Sequence, residues 1–387
     1  MKCIKQLLSS VIILSVLHSC RQQEPVCRLA WQEAVQLPQQ QEPGTSGVAG
    51  PVAGVHNGVL IIAGGANFPD AMPWDGGRKK FYTAGYVYEK TGSGATRLLD
   101  TFQLNIPLGY AAVCSTGNGV LYAGGENEHG ISDRVGLLQW DSGAKQVKEL
   151  ILPPLPLALA NGMLAANEQM IYFAGGETTD SASAACWYMD MQEPGKGWQS
   201  MPSLPQPVSH AVMVWQGDAD APYISLFGGR KKNKEELTTW YNEVYRFDIK
   251  TMNWQQAGKL PYVLAAGTGV PADRYTVLLL GGDKGKIFQE TESLILDINR
   301  ETDEEKRKAL LLKKNKLQAA HPGFSREVII FDTRDNHYLL TDTLPFPAPV
   351  TTTALLWGET VIIPSGEIKA GVRTPLIQSA TITRSKK

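Results

Sequence analysis

Near the C-terminus the stretch IIPSGEIKAGVRTP, residues 362–375, sets a carboxylate, Glu367, six positions before a guanidinium, Arg373, with Gly366 and Gly371 between them. A carboxylate can take and return a proton, and an arginine fork can grip an anionic group bidentately, so the two together suit acid/base work on a carboxylated substrate. The alternative is an ordinary surface loop. A second stretch, ANFPDAMPWDGGRKKFY at 66–82, sets Phe68, Met72 and Trp74 beside Arg78, Lys79 and Lys80. An apolar wall next to cations suits a sugar acid, whose ring stacks on aromatics while its carboxylate takes a charge-assisted bond. It equally suits a loop that packs its own aromatics.

The elements that hold these loops are repeated. LIIAGGAN, LYAGGEN, IYFAGGET, SLFGGRK and LLLGGDK each end a strand-like apolar run in a glycine doublet, at Gly64, Gly124, Gly175, Gly228 and Gly281. VIIPSGEI has Ser365-Gly366 in the same place, and the successive spacings are 60, 51, 53, 53 and 84 residues. A period near 50 residues of β-rich sequence predicts an all-β fold, a six-bladed β-propeller of the kelch type forming a single domain over 27–387. Trp-to-Pro segments such as WQSMPSLP (198–205) and WQQAGKLP (254–261) recur after the doublets and complete the unit.

The sixth unit is short of a strand at the C-terminus, where only LIQSATITR (376–384) follows the doublet; WQEAVQLP (31–38) supplies the missing Trp-to-Pro form. The ring is therefore expected to close by the N-terminal strand joining the C-terminal blade, pairing two open edges. The long 84-residue interval carries a segment at about 295–324 rich in Ala, Leu, Lys and Glu, with Thr302 placed to cap a helix followed by Glu305. It reads as a helical insertion in blade five, either a solvated charged face or a flap over the central pocket.

In a propeller the loops after the second strands converge on one face of the channel. Those loops carry Asn67, Arg78, Lys79 and Lys80; then Glu126 and Arg134; then Glu177, Arg230 and Asp283; and finally Glu367 and Arg373. The result is a ring of mixed charge with a basic surplus, although polar channel mouths also occur in propellers that catalyse nothing.

The N-terminus, MKCIKQLLSSVIILSVLHSC, joins Lys2 and Lys5 to an apolar run and a small residue, Ser19, before Cys20. Residues 1–19 read as a secretory leader too short to span a membrane. The ending resembles a bacterial lipoprotein cleavage box, which makes Cys20 the lipidated mature N-terminus and the protein periplasmic, held by lipid at the outer membrane; a plain cleaved leader is the alternative. Loss of Lys2 and Lys5 leaves 35 of the 37 basic residues against 38 acidic ones, which gives no footprint for nucleic acid. Cys27, Cys114 and Cys186 are an odd, widely spaced set and read as small buried apolar residues.

GVAGPVAGVHNGVLIIAGGANF, GGRKKFY and SGEIKAGVRT together resemble the bacterial sialic acid mutarotases, or N-acetylneuraminate epimerases. The resemblance covers the mature chain in cyclically permuted order, which a closed ring tolerates because its termini merely sit at another blade. It implies a six-bladed propeller acting on a carboxylated sugar. Glu367 is then the acting carboxylate and Arg373 the essential arginine, and the channel-mouth loops would place Asn67, Arg78, Lys79, Lys80, Arg134, Glu177 and Arg230 around the substrate. Neither metal nor other cofactor is implied. A non-catalytic glycan- or protein-binding propeller is the main alternative. A sialidase is disfavoured because no S-x-D-x-G-x-x-W box occurs, and copper chemistry because His56, His129, His210, His321 and His337 are scattered.

Overall fold

The computed structural model describes residues 27–38, 47–92, 95–217 and 220–384; the leader and Cys20 lie outside them. Among the described residues six antiparallel sheets, five of four strands and one of five, are arranged as a six-bladed β-propeller. The innermost strands are Val52–His56, Ala112–Thr116, Met163–Ala166, Val212–Gln216, Thr268–Pro271 and Leu355–Trp357. Each touches the next, and the last touches the first.

Burial follows from this stacking. A second strand such as Val59–Ala63, Tyr223–Phe227 or Thr276–Leu280 is buried along its whole length, because a neighbouring sheet covers each of its faces. That is why these runs read as continuous apolar stretches. The outer strand Gln146–Leu152 alternates between exposed and partly buried positions, as a strand with one wet face must. The cores accordingly lie between blades: Ile61 and Val87 of blade one pack with Val120 and Leu138 of blade two. Leu60 and Tyr88 pack with Trp357 and Ile362 of blade six across the closure.

The outermost strand of blade six comes from the N-terminus. Cys27–Trp31 pairs with Leu376–Arg384 in the register Cys27 to Arg384 and Trp31 to Ala380, and Val35–Gln36 continues along the same strand. The strand thus starts four residues before the Trp31 expected from the Trp-to-Pro pattern. The Trp-to-Pro repeats have a plain function. Trp198 and Trp254 each donate their indole N–H to a proline carbonyl of the preceding blade, Pro153 and Pro202, at 3.1 Å.

Two further devices place the loops of the channel mouth. At the hub, Gly50, Tyr110, Asn161, His210, Ala266 and Thr351 all take left-handed φ angles of 50° to 63°. Each N–H donates to the carbonyl of its equivalent in the preceding blade, from Tyr110 to Gly50 at 2.9 Å round to Gly50 to Thr351 at 2.6 Å, closing a ring of six backbone hydrogen bonds. The residue before each of these bridges to the residue after a doublet: Ala49 to Ala66, Gly109 to Glu126, Ala160 to Glu177, Ser209 to Arg230, Ala265 to Asp283 and Val350 to Glu367. Six sequence-distant positions are thereby fixed around one axis.

The doublets exist because the chain passes close to the next blade. At Gly124 (φ 70°) a Cβ would lie 2.0 Å from the Leu159 carbonyl oxygen, whereas at Gly58 (φ 80°) it would meet nothing within 4 Å. Ser365 takes the doublet's first position at φ 58°. Its hydroxyl lies 2.8 Å from the Val48 carbonyl and 2.6 Å from that of Thr374, so the crowded approach becomes a hydrogen bond.

Between the second and third strands of blade five run helix α1, Lys286–Arg300, and helix α2, Glu304–Ala319. The first begins nine residues ahead of the boundary drawn from composition. Ile287, Phe288, Thr291, Leu294 and Ile295 already carry the helical period there. The cap of α2 is Asp303, not Thr302: its carboxylate accepts from the N–H groups of Glu305 and Lys306, both at 3.0 Å.

Gly124→Ala and Gly58→Ala separate backbone conformation from close packing. Gly58→Ala should cost only about 1 kcal/mol, the penalty of a left-handed L-residue. Gly124→Ala adds an overlap with backbone and should lower stability by roughly 3 kcal/mol or more. Thermal or urea unfolding of the two variants measures the difference.

Candidate functional site

A cavity of about 360 Å³ lies between the hub and the two helices. Its apolar side is Ile287, Phe288 and Ile295 of α1 with Phe324 beyond α2. Its polar side is His210, Arg230, Asp283, His321 and Glu367. Arg230, Asp283 and Glu367 are the post-doublet residues of blades four, five and six, so three consecutive turns of the ring deliver one cation and two acids to one space.

The GEIKAGVRT segment folds as a bulged hairpin, Glu367–Lys369 against Val372–Arg373, in which Glu367 pairs with Arg373 in register. Gly371 makes the turn at φ 75°. Its N–H donates to Glu367 Oε1 at 2.8 Å, and Arg373 Nη2 lies 3.4 Å from Glu367 Oε2. Glu367 is on the cavity wall. Arg373 stands behind it, 8% exposed, with its guanidinium 4.8 Å from the centre of the Phe68 ring and, among the described residues, no hydrogen-bond partner on Nε or Nη1.

The guanidinium that faces the cavity is that of Arg230. It lies 4.4 Å from the centre of the Phe288 ring, and its Nη2 is 3.3 Å from His210 Nε2. Burial pushes the His210 pKa down to about 3, helped by the charge of Arg230, so the ring is neutral and Nε2 accepts from Arg230. Nδ1 then carries the proton and donates to Ser209 Oγ at 2.9 Å, and Ser209 Oγ donates to Glu177 Oε2 at 3.0 Å. Asn161 occupies Glu177 Oε1 at 3.0 Å. Burial works against the ionised form of Glu177, but the charge of Arg230 and the bonds from Ser209 and Asn161 outweigh it and hold its pKa below the usual carboxylate value. A chain of oriented groups therefore fixes Arg230 from behind.

Other predicted residues have other work. Asn67 is buried, donating to the Gly47 carbonyl at 3.0 Å and accepting from Tyr82 at 2.7 Å. Arg134 turns to the outer part of its blade, bonding Tyr122 at 3.1 Å and Glu149 at 3.2 Å. Lys79 pairs with Glu126 at 2.7 Å and stands over the Tyr110 ring. Lys80 stands over Tyr82, and Arg78 is exposed. None of these five lines the cavity.

The 66–82 loop serves the site from outside the cavity: Met72, Pro73 and Trp74 crowd Gly371, and Asn315 of α2 donates to the Trp74 carbonyl at 3.1 Å. On the other side Glu292 of α1 accepts from the N–H and hydroxyl of Thr238, each at 2.7 Å. The insertion is thus pinned at both ends as a roof. His210 and His321 escaped the sequence reading, which weighed histidines only as metal ligands. His210 sits in a repeated small-X-small pattern, Gly-Tyr-Ala at 109–111, Ala-Asn-Gly at 160–162 and Ser-His-Ala at 209–211, that marks the hub. Cys27, Cys114 and Cys186 are free thiols whose pKa values burial pushes up, to about 11 for Cys27 and about 12 for the others. Among the described residues no three His, Cys, Asp or Glu side chains gather as a metal site.

Comparison with known proteins gives the family. The sequence profile of the N-acetylneuraminate epimerase family matches residues 152–387. The chain is similar to the N-acetylneuraminate epimerase of Salmonella enteritidis PT4, 28% identical over 233 residues that cover 59% of this chain and 58% of the relative. It is also similar to that of Yersinia pestis strain Pestoides F, 29% identical over 230 residues covering 58% and 56%. The chain thus spans less than two thirds of the length of these curated relatives.

The neutral His210 makes stability depend on pH. Between about pH 3 and the ordinary imidazole value of 6.5 the unfolded chain carries more protons on this residue than the folded one. Stability is therefore complete above that window and falls as pH drops through it. His56 and His321 shift in the same direction, through burial, so His210→Asn should flatten the pH dependence of the melting temperature without abolishing it. Thermal melts from pH 7.5 to 4 read this directly.

Proposed function

Because this chain belongs to the N-acetylneuraminate epimerase family, we propose that its roofed hub cavity interconverts the α and β anomers of N-acetylneuraminate or a closely related carboxylated keto-sugar. The observation that carries this reading is Glu367, held by Gly371 N–H and Arg373 on the wall of a cavity that also contains Arg230.

Mutarotation needs a proton removed from the anomeric hydroxyl and one delivered to the ring oxygen. The ring carbon–oxygen bond breaks, the exposed carbonyl turns its other face, and the hydroxyl adds back. Glu367 is the base. The Gly371 N–H and the Arg373 guanidinium fix the direction of its carboxylate, which supplies the orientation that a solution carboxylate lacks. Arg230 takes the sugar carboxylate: its fork is fixed by His210, while Phe288 and the apolar face of α1 cover the less polar side of the sugar. Arg373 acts by holding Glu367. The roof of α1 and α2 covers the apolar side of the cavity and holds the open-chain keto form beside Glu367 while its carbonyl turns. The leader and Cys20 support a periplasmic enzyme held by lipid.

The assay is NMR of freshly dissolved single anomer, with the buffer rate subtracted. Wild type should accelerate exchange, and Glu367→Gln should lose roughly 10²-fold or more of that gain while keeping its fold. Arg230→Lys should raise KM about tenfold with kcat little changed, and Arg373→Lys should act mainly on kcat. Binding without acceleration would leave a glycan-binding propeller. Equal rates for wild type and Glu367→Gln would remove the catalytic assignment.

A further inference from the structure

The reaction proposed above moves two protons, and Glu367 accounts for one. We propose that Asp283 is the second catalytic group, the acid that protonates the ring oxygen as the sugar opens and takes the proton back as it closes; this rests on the mutarotase reading.

The assignment comes from an inventory of acids around the cavity and from their place in the ring. Four carboxylates bear on Arg230: Glu177, Asp283, Glu292 and Glu367. Both oxygens of Glu177 are occupied, by Asn161 and Ser209. Both oxygens of Glu292 are occupied by Thr238, so that side chain fastens the roof. Glu367 accepts the Gly371 N–H on Oε1 and has the Arg373 guanidinium 3.4 Å from Oε2, so each of its oxygens faces a partner. Asp283 has one backbone donor, Gly285 N–H at 2.8 Å on Oδ1; among the described residues Oδ2 has none. An oxygen left without a donor is the one able to carry a proton and give it away.

Position agrees with this. Asp283 and Glu367 stand at equivalent post-doublet sites of adjacent blades, each bridged to the hub, by Ala265 and Val350. Both line the same cavity, with Arg230 on the neighbouring turn. The two oxygens that exchange protons are bonded to one anomeric carbon, so acid and base must reach it from different sides of a single pocket. Adjacent blades of a rigid ring supply that separation. Burial raises the Asp283 pKa, and the Gly285 bond and the neighbouring Arg230 oppose it without cancelling it. His321 is the other protic group on this wall. Its Nδ1 accepts from Gly323 N–H at 3.0 Å, leaving Nε2–H as a rival donor.

The cycle balances. In opening, the anomeric O–H proton passes to Glu367, the carbon–ring oxygen bond breaks as the carbonyl forms, and the Asp283 proton passes to the ring oxygen. Closure on the opposite face returns both protons.

The test compares single-anomer exchange rates for wild type, Asp283→Asn, Asp283→Ala with and without added formate, and His321→Gln. Asp283→Asn keeps an oxygen for the Gly285 bond and should lower kcat about 100-fold with KM within threefold of wild type. Formate should restore part of the Asp283→Ala rate, which a structural role would not allow. Wild-type kcat in Asp283→Asn, a loss confined to KM, or loss in His321→Gln alone would overturn the proposal. A wild type no faster than buffer would remove the mutarotase reading and the proposal together. Should the variants not fold, a proton inventory on the wild type decides: a bowed plot means two protons in flight, and a linear one overturns the second group.

Discussion

The closed ring of six backbone hydrogen bonds at the hub is the constraint on which the rest depends. Five of its six members are not glycine, yet all hold left-handed φ angles, each of which costs an L-residue about 1–2 kcal/mol. They persist because each N–H and carbonyl is satisfied by the next blade, and an opened ring would leave such groups buried without partners. Cooperation around the circle turns six unfavourable conformations into one rigid frame. The bridges from the preceding residues then fix every post-doublet side chain to that frame.

Rigidity alone does not make a site; the charges must be sorted. Glu126, Glu177, Glu149 and Glu292 are paired or hydrogen-bonded, and each serves architecture. Arg230, Asp283 and Glu367 line one cavity, with Glu292, fastened to Thr238, on its roof side. The asymmetry has a structural source. Blade five replaces its short loop with α1 and α2, and these roof only the side of the hub where blades four to six contribute. A propeller with six similar turns thus becomes asymmetric at its hub.

The architecture was legible because propeller stacking leaves a periodic trace. Second strands covered on both faces must be apolar throughout, and the turns after them need left-handed backbone, so glycine doublets recur. The N-terminal closure could be read from a missing strand at one end and a spare Trp-to-Pro strand at the other. Helix α1 was read nine residues late because its first turn follows a glycine doublet that looks like any other blade turn. The Asp303 cap was displaced by one residue, since Thr302 and Asp303 are both capping types and only backbone geometry distinguishes them.

The site divides along the same line. The sequence by itself determined which residues stand after the doublets, and so which could face the axis; Glu367 and Arg230 were legible in this way. Only the tertiary structure decided which of them meet. It turned Arg134 outward, tied up the Asn67 amide, placed Arg373 behind Glu367, and brought His210, His321 and Phe288 to one cavity. The physical reason is that period and composition encode backbone conformation and burial, which are local, whereas a side chain's direction and hydrogen-bond partner depend on neighbours that only ring closure brings near.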